Sequence, residues 1–315
     1  MRYRLQTRVL LLARLLALLV LVGIGSLLSE WADTSPEQSN GHYSSRSAYA
    51  PAPNTPTLPP ATPTPTPTPR PPTAGGSSGS GCIGIIIPAY YGPGTGMNKT
   101  IASAGQVVFM TANVNNGPGT GVDAAWKAAI NQAKAAGIRV MGYVATGHGN
   151  NSEASVKAQV DAWKTQYGVT DIMFDETWVG DTSKVTYYQD LTNYVHQQTP
   201  GAFVRDNAGD NEPEAYLQTT DILGIFEGSY TKYLNWQPEA WVYKYPAYRF
   251  SEEMYAVPNA SVIPTIFTLF QQNNAGYVML TDSTDPWNQF SSDAVWNAFA
   301  GEVKSQCSGG PPPSI

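Results

Sequence analysis

Two short apolar runs in this chain stop on acids. Ile172-Met173-Phe174 leads into Asp175-Glu176, and Leu223-Gly224-Ile225-Phe226 leads into Glu227. Runs of this kind read as strands of a covered sheet, so carboxylates ending two different strands can face one cleft. Paired carboxylates suit glycosidic hydrolysis: one protonates the departing oxygen while the other attacks or stabilises the sugar cation, and a shared low-dielectric pocket pushes their pKa values apart. Taken singly, each acid has a plainer reading as a helix cap or an ion-pair partner. Two strand ends offering the same chemistry weaken that reading.

Neighbouring residues of a regular strand point to opposite faces, so Asp175 and Glu176 address one atom only if the strand ends between them. Asp175, with the shorter and less entropic side chain, is read as nucleophile or cation stabiliser. Glu227, with the longer arm, is read as acid/base, and Glu176 as adjusting their charge or holding substrate. Other polar or aromatic residues fall near expected strand ends and are candidate substrate contacts: Tyr90, Asn113, His148, Trp178, Asn207, Tyr230 and Asp282. Sugar rings present C–H faces that stack on aromatic rings. Tyr91, Tyr233, Trp236 and Trp241 crowd the same loops, and some of these rings must be ordinary packing. With three histidines in the chain and no G-x-S-x-G elbow, a His-based metal site or a Ser-His-Asp triad is not expected, and no cofactor is called for.

Eight strand-like runs can deliver such side chains, at 83–87, 107–113, 139–144, 171–175, 202–205, 222–226, 249–257 and 276–280. Helical patterns lie at 123–136, 152–167, 183–198, 262–273 and 293–305. Alternating β and α with apolar strands means a parallel sheet covered by helices, and eight units fit a closed (β/α)₈ barrel of the TIM type, α/β in class. A doubly wound sheet is the runner-up, but no dinucleotide fingerprint follows the first run. The pentapeptide GPGTG occurs at 92–96 and again at 117–121. It lacks the Gly-Lys-Ser/Thr of a phosphate loop and reads as tight turns leaving strand ends.

Residues 82–307 form one catalytic domain, expected to be monomeric, behind a non-globular leader. Residues 1–30 carry Arg2, Arg4, Arg8 and Arg14 ahead of an apolar run and read as a signal peptide or a retained signal anchor, giving a secreted or membrane-attached protein. Residues 31–81 form a Pro/Thr-rich and Gly/Ser-rich stalk, and 308–315 a flexible tail. The first 81 residues hold six Lys/Arg and three Asp/Glu, which leaves twelve basic and twenty-one acidic residues downstream, a balance of −9. That argues against a nucleic-acid partner. The two cysteines, Cys82 and Cys307, bracket the domain. First strand and last helix are neighbours in a (β/α)₈ barrel, so a disulfide between them would join the chain ends of an exported domain.

The ordered blocks IGIIIPAYYGPG, VVFMTANVNNGPG, RVMGYVATGHG, DIMFDETW, ILGIFEGSY and AGYVMLTD resemble the spherulin-4, or spherulation-specific, family over nearly all of residues 83–285. The resemblance implies a (β/α)₈ barrel and a glycoside hydrolase of family 135, related to the family 114 endo-α-1,4-galactosaminidases that cut exopolysaccharide containing N-acetylgalactosamine or galactosamine. It places the family's paired acids on Asp175 and Glu176 and its third acid on Glu227. The chain departs from the family pattern at His148 and in its leader and stalk. A polysaccharide is the expected substrate. The competing reading is a non-catalytic glycan-binding surface protein on a degenerate barrel, which the presence of all three acids disfavours. A chitinase-like enzyme is disfavoured because no D-x-x-D-x-D-x-E arrangement surrounds Asp175.

Overall fold

The computed structural model describes residues 82–307, so the readings of leader, stalk and tail lie outside the described residues. Eight parallel strands close in sequence order into a barrel. They are β1 (Gly84–Pro88), β2 (Val107–Ala112), β3 (Arg139–Ala145), β4 (Asp171–Asp175), β5 (Val204–Asn207), β6 (Ile222–Ser229), β7 (Phe250–Tyr255) and β8 (Tyr277–Leu280). The (β/α)₈ expectation holds, with each strand within a few residues of its expected place. The largest offset falls on β6, which ends three residues beyond its pattern, and β5 starts and ends two residues later than expected.

Helices α1 (Thr95–Ala102), α2 (Ala124–Ala135), α3 (Glu153–Ala162), α4 (Val185–Gln198), α5 (Tyr230–Tyr233), α6 (Ile263–Gln272) and α7 (Asp293–Gln306) lie between or after the strands. Their starts follow capping chemistry. Asp123, Ser152 and Ser292 each accept a hydrogen bond from a first-turn amide of α2, α3 and α7. α6 buries Ile263, Ile266, Phe267 and Phe270, the spacing of one apolar helix face. α1 begins inside the first GPGTG, where Gly94 gives no side-chain cap, and so it carries no starting signal in the sequence. Between β5 and β7 the outer layer is thin: a 3₁₀ turn at Glu214–Thr219, the four-residue α5 and further short turns.

The lower lumen is plugged by rings from strands that are not neighbours. Phe109 of β2 packs edge-on against Tyr277 of β8 at 5.3 Å and tilted against Phe203, just ahead of β5, at 5.8 Å. Arg139 stacks over Phe203 and grips Asp171 with two hydrogen bonds of 2.8 Å. With the bottom sealed, the polar residues of the later strands are left at the C-terminal mouth, where barrels of this kind hold their sites. Among the described residues no helix is long and apolar enough to cross a membrane.

Cys82 and Cys307 are bonded, with Cα atoms 4.9 Å apart across 225 positions of sequence. The bridge ties the entry to β1 to the end of α7. On the chain-entropy model a loop of this length is worth up to about 5 kcal/mol. Reducing the bond should lower the denaturant midpoint with little change in the native far-UV circular dichroism. An unchanged midpoint after verified reduction would show that the ends are held by packing alone.

Candidate active site

The upper lumen is built by β4 to β7. Along β5 the side chains alternate, so Arg205 and Asn207 face inward while Asp206 faces the outer layer. Asn207 Nδ2 donates to Asp175 Oδ1 at 2.9 Å and to Glu227 Oε2 at 2.8 Å. One amide therefore holds both acids. Its Oδ1 accepts from Arg205 Nη2 at 2.9 Å, and because a guanidinium only donates, that bond decides which way the amide faces. Arg205 Nη2 also lies 2.7 Å from Glu253 Oε1, an ion pair that crosses the lumen to β7, and Arg205 Nε donates to Ser251 Oγ at 2.9 Å.

Glu227 reaches this cluster through a β-bulge. β6 pairs with β7 at Gly224 and Ser251, slips, and resumes with Phe226 opposite Glu252 and Glu227 opposite Glu253. Residues three apart in a regular strand face opposite ways, and the extra residue puts Gly224 and Glu227 on the same side. Gly224 has to be bare: a Cβ there would lie 2.6 Å from Asn207 Oδ1 and 3.1 Å from Arg205 Nη2. Past β5, Gly209 adopts φ 69°, donates to Gly224 O and accepts from Glu227 N. A Cβ at Gly209 would meet the Glu227 Cβ at 3.0 Å.

Arg205 thus pairs with Glu253 and is connected to Asp175 and Glu227 through Asn207. Burial pushes the Glu227 carboxyl up to about 8, the charges of Glu253 and then Asp175 add to the rise, and the Asn207 hydrogen bond and Arg205 oppose it. As a whole residue Glu227 is half-buried. Burial raises Glu253 too, and Arg205 pulls it back. Tyr90 stands edge-on to Tyr143 at 5.4 Å and tilted to Trp287 at 5.9 Å. Burial, then the Asp175 charge, lifts its phenol well above the usual range, which makes it a neutral donor. Tyr255, at the end of β7, is raised by burial and by Glu227.

β4 stops at Asp175, and Glu176 turns left-handed with φ 52°. The strand ends between the two acids, which frees Glu176 from pointing away from the cleft. Thr146 secures the turn: its amide donates to Asp175 O at 3.0 Å, and its hydroxyl lies 2.9 Å from Asp175 O and 2.8 Å from Glu176 O. The His148 amide donates to Glu176 O at 2.7 Å from an equally left-handed residue, φ 55°, and its ring Nδ1 lies 3.3 Å from Thr177 O. Such backbone costs roughly 1–3 kcal/mol and persists where the surroundings over-determine it. Among the described residues the Glu176 carboxylate has no hydrogen-bond or ion-pair partner.

The remaining candidates divide. Trp178 and Tyr230 are half-buried at the same rim, with Trp178 Nε1 donating to Asp181 at 3.2 Å. Asn113 Oδ1 accepts from Gly117 N at 2.8 Å and closes its own loop. Asp282 Oδ1 accepts from Ser291 Oγ and Ser292 N, both at 2.9 Å, and so supports the start of α7. Tyr91 bonds Thr100, Tyr233 bonds Glu252, Trp236 stacks on Tyr233 and Trp241 bonds the Glu212 carbonyl, so these four rings are packing. Arg205, Glu253, Tyr143, Tyr255 and Trp287 were not singled out by the sequence reading. Arg205 and Glu253 had a signal, since charge inside a short buried strand rarely goes unpaired.

Behind the site, on the outward face of β5, lies a second set of acids. Asp206 Oδ2 accepts from Thr219 Oγ1 at 3.2 Å, while Asp206 Oδ1, both Glu212 oxygens and Thr177 Oγ1 are buried with no hydrogen-bond partner among the described residues. Burial, with the Asp206 charge adding, pushes Glu212 up to about 9, and the nearby Thr177 hydroxyl opposes this without reaching hydrogen-bond geometry. Asp206 is raised well above its usual range, chiefly by burial.

The model of the family described as Spherulin4, spherulation-specific family 4, matches residues 84–303. Spherulin-4 of Physarum polycephalum is 26% identical over 211 residues, 64% of this chain and 63% of its own, so the chain spans less than two thirds of that relative's length. Sph3 of Aspergillus clavatus, solved in complex with GalNAc, superposes with a TM-score of 0.62 at 22% identity, over 71% of this chain and 98% of that one. An active domain of a Pyrococcus furiosus chitinase, solved with chito-oligosaccharides, superposes more loosely, at 0.47 and 10% identity over 71% of this chain and 93% of that one.

An acid whose folded pKa lies above its unfolded value binds its proton more tightly when folded, so its contribution is complete below about pH 4.5 and is lost as pH rises toward the folded value. For Glu212, 2% exposed and raised to about 9, the contribution lost is a few kcal/mol across that window. Glutamine is neutral throughout. Thermal unfolding from pH 5 to 9 should therefore show Glu212→Gln gaining on the native protein as pH rises, while parallel curves would contradict a buried, protonated Glu212.

Proposed function

The chain belongs to the spherulation-specific family 4, and from that premise we propose that it is an extracellular endo-glycosidase that hydrolyses amino-sugar exopolysaccharide of the N-acetylgalactosamine or galactosamine type. The observation that carries the reading is the single Asn207 amide bonded to both Asp175 and Glu227. The GalNAc held by Aspergillus clavatus Sph3 is what points to the sugar.

The same amide favours a retaining course. Two oxygens bonded to one nitrogen can be no farther apart than those bonds laid end to end, which falls short of the roughly 6.5–9.5 Å that leaves room for the water of an inverting pair. In the first step the Asp175 carboxylate attacks the anomeric carbon, the glycosidic C–O bond breaks, and the Glu227 proton passes to the leaving oxygen. In the second step Glu227 takes a proton from water, the water oxygen bonds to the anomeric carbon, and Asp175 leaves as carboxylate. A carboxyl raised to about 8 can do both near neutrality, holding its proton first and accepting one next. Asn207 keeps the two acids aligned throughout. Glu176, at the open rim, and the rings of Tyr90, Trp178 and Tyr230 serve the sugar rather than the bond. His148 acts through the backbone, by holding the turn at Glu176.

A glycan-binding protein without catalysis is the alternative. A binding site has no use for two strand-end carboxyls held by one amide, one of them with its proton affinity raised by burial, and that arrangement favours the enzyme.

Incubation with defined amino-sugar oligosaccharides, read by mass spectrometry and early-time proton NMR, should give shorter oligomers whose new reducing ends keep the substrate's anomeric configuration. Asp175→Asn and Glu227→Gln should each lower turnover by about 10²–10⁴-fold while the protein stays folded. Glu176→Gln should raise KM more than it lowers kcat. Near-native hydrolysis by folded Asp175→Asn or Glu227→Gln would overturn the assignment, and inverted products would overturn the retaining course.

A further inference from the structure

Glu253 is a third lumen carboxyl to which the two-acid scheme gives no task. It is nearly inaccessible, with 2% of its side chain exposed, and it lies directly opposite Glu227 in the β6–β7 register. Neighbouring residues of parallel strands project side by side, so the two carboxyls are forced together. The groups that face Glu227 are Asp175 from β4, Arg205 and the Asn207 amide from β5, and Glu253 and Tyr255 from β7. Arg205 is the one cation among them. It reaches Glu253 directly and reaches Glu227 only through the Asn207 amide.

We propose that Glu253 is a positioning residue whose negative charge, held in place by Arg205, keeps Glu227 protonated while Asp175 attacks and keeps Glu227 basic once Asp175 is bonded to the sugar. This deepens, and rests on, the glycosidase reading. The argument is a charge count. A guanidinium is always charged and can offset one carboxylate. If Arg205 offsets Glu253 and Asp175 must be ionised to attack, the third carboxyl in the same closed space holds its proton. When Asp175 becomes an ester its charge disappears, and without another neighbour Glu227 would lose much of its basicity just when it must take a proton from water. Glu253 is the charge that remains through both steps. Arg205 has a second task in this scheme: by donating to Asn207 Oδ1 it turns the amide hydrogens toward the two reacting acids. A carboxyl given over to Arg205 at 2% exposure is out of the substrate's reach, so Glu253 acts through Glu227 alone.

The test is the protonation of Glu227 itself, read by carboxyl-carbon NMR of protein labelled at glutamate, with Glu227→Gln assigning its signal. In Glu253→Gln the Glu227 titration should move down by about one to two pH units, the size of a like-charge interaction between near neighbours in a protein interior. The alkaline limb of hydrolysis should move down with it, and Glu253→Asp, which keeps the charge, should restore most of both. Coupling is reciprocal, so in Glu227→Gln the Glu253 signal should titrate lower by a similar amount. That arm needs only the half-exposed Glu227 to change and stands if Glu253→Gln fails to fold. A Glu227 titration unmoved in folded Glu253→Gln, or a Glu253 titration unmoved in Glu227→Gln, overturns the proposal. Absence of hydrolysis by the native protein at every pH would remove the glycosidase reading and leave the NMR arm to decide on the coupling.

Discussion

A closed parallel barrel is buried on both faces of its strands, so any charge inside it must be satisfied by other groups in the same lumen. Here the constraint is tight: among Asp175, Glu227 and Glu253 the available cation is Arg205, which pairs with Glu253 directly and connects to Asp175 and Glu227 through the Asn207 amide. Removing a buried cation of this kind leaves an uncompensated charge behind, which typically costs about 3–5 kcal/mol. The Arg205 position is therefore as much a condition of folding as of chemistry. Asn207 extends the reach of that single cation, because its amide passes the guanidinium's orientation on to two further carboxyls without adding a charge.

The backbone around the cluster departs from regular geometry where side chains must be re-aimed. The β6 bulge turns Glu227 inward at a phase that otherwise belongs to the outer layer. Gly224 leaves the space that the Asn207 amide and Arg205 fill, and Gly209 lets the chain beyond β5 lie against Glu227. At β4 the correction is a left-handed Glu176, fastened by the Thr146 hydroxyl and the His148 amide from the loop after β3. The irregular positions sit next to Asp175 and Glu227, while the lower lumen, filled by Phe109, Tyr277 and Phe203, has only packing to satisfy.

The sequence carried the barrel and its acids because both are local signals. Short apolar runs marked all eight strands, and a carboxylate after an apolar run marked Asp175 and Glu227. What it could not carry is which face a residue takes after a bulge, or which polar residue answers another across the lumen. Asn113 and Asp282 have the composition of ligand contacts but are engaged in their own loops, at Gly117 and at Ser291-Ser292. Glu253 was hidden for the opposite reason. The doublet Glu252-Glu253 repeats the Asp175-Glu176 pattern, yet it lies within β7 and not at its end, and pleating sends Glu252 outward to Tyr233 and Glu253 inward to Arg205. The helix α1 was missed because a glycine-rich start offers no cap.

Lining a barrel with acids also burdens its outer wall. Asp206 and Glu252 alternate with inward residues of the functional strands and end up buried against the outer layer, where burial raises both well above the usual carboxylate range. Glu212, packed near Asp206, is raised with them. Each of these groups stabilises the fold only while it holds its proton, so each contribution falls away as pH rises. In the proposed reaction Glu227 obeys the same rule for a different reason, since it too must hold a proton at the start. The wall and the site therefore lose what they need in the same direction of pH. The placement of acids on alternating faces of β5 and β7 ties them together: a strand that delivers Asn207 or Glu253 inward carries Asp206 or Glu252 outward, and the working range of the site is bounded on the alkaline side by the same proton binding that holds the barrel wall together.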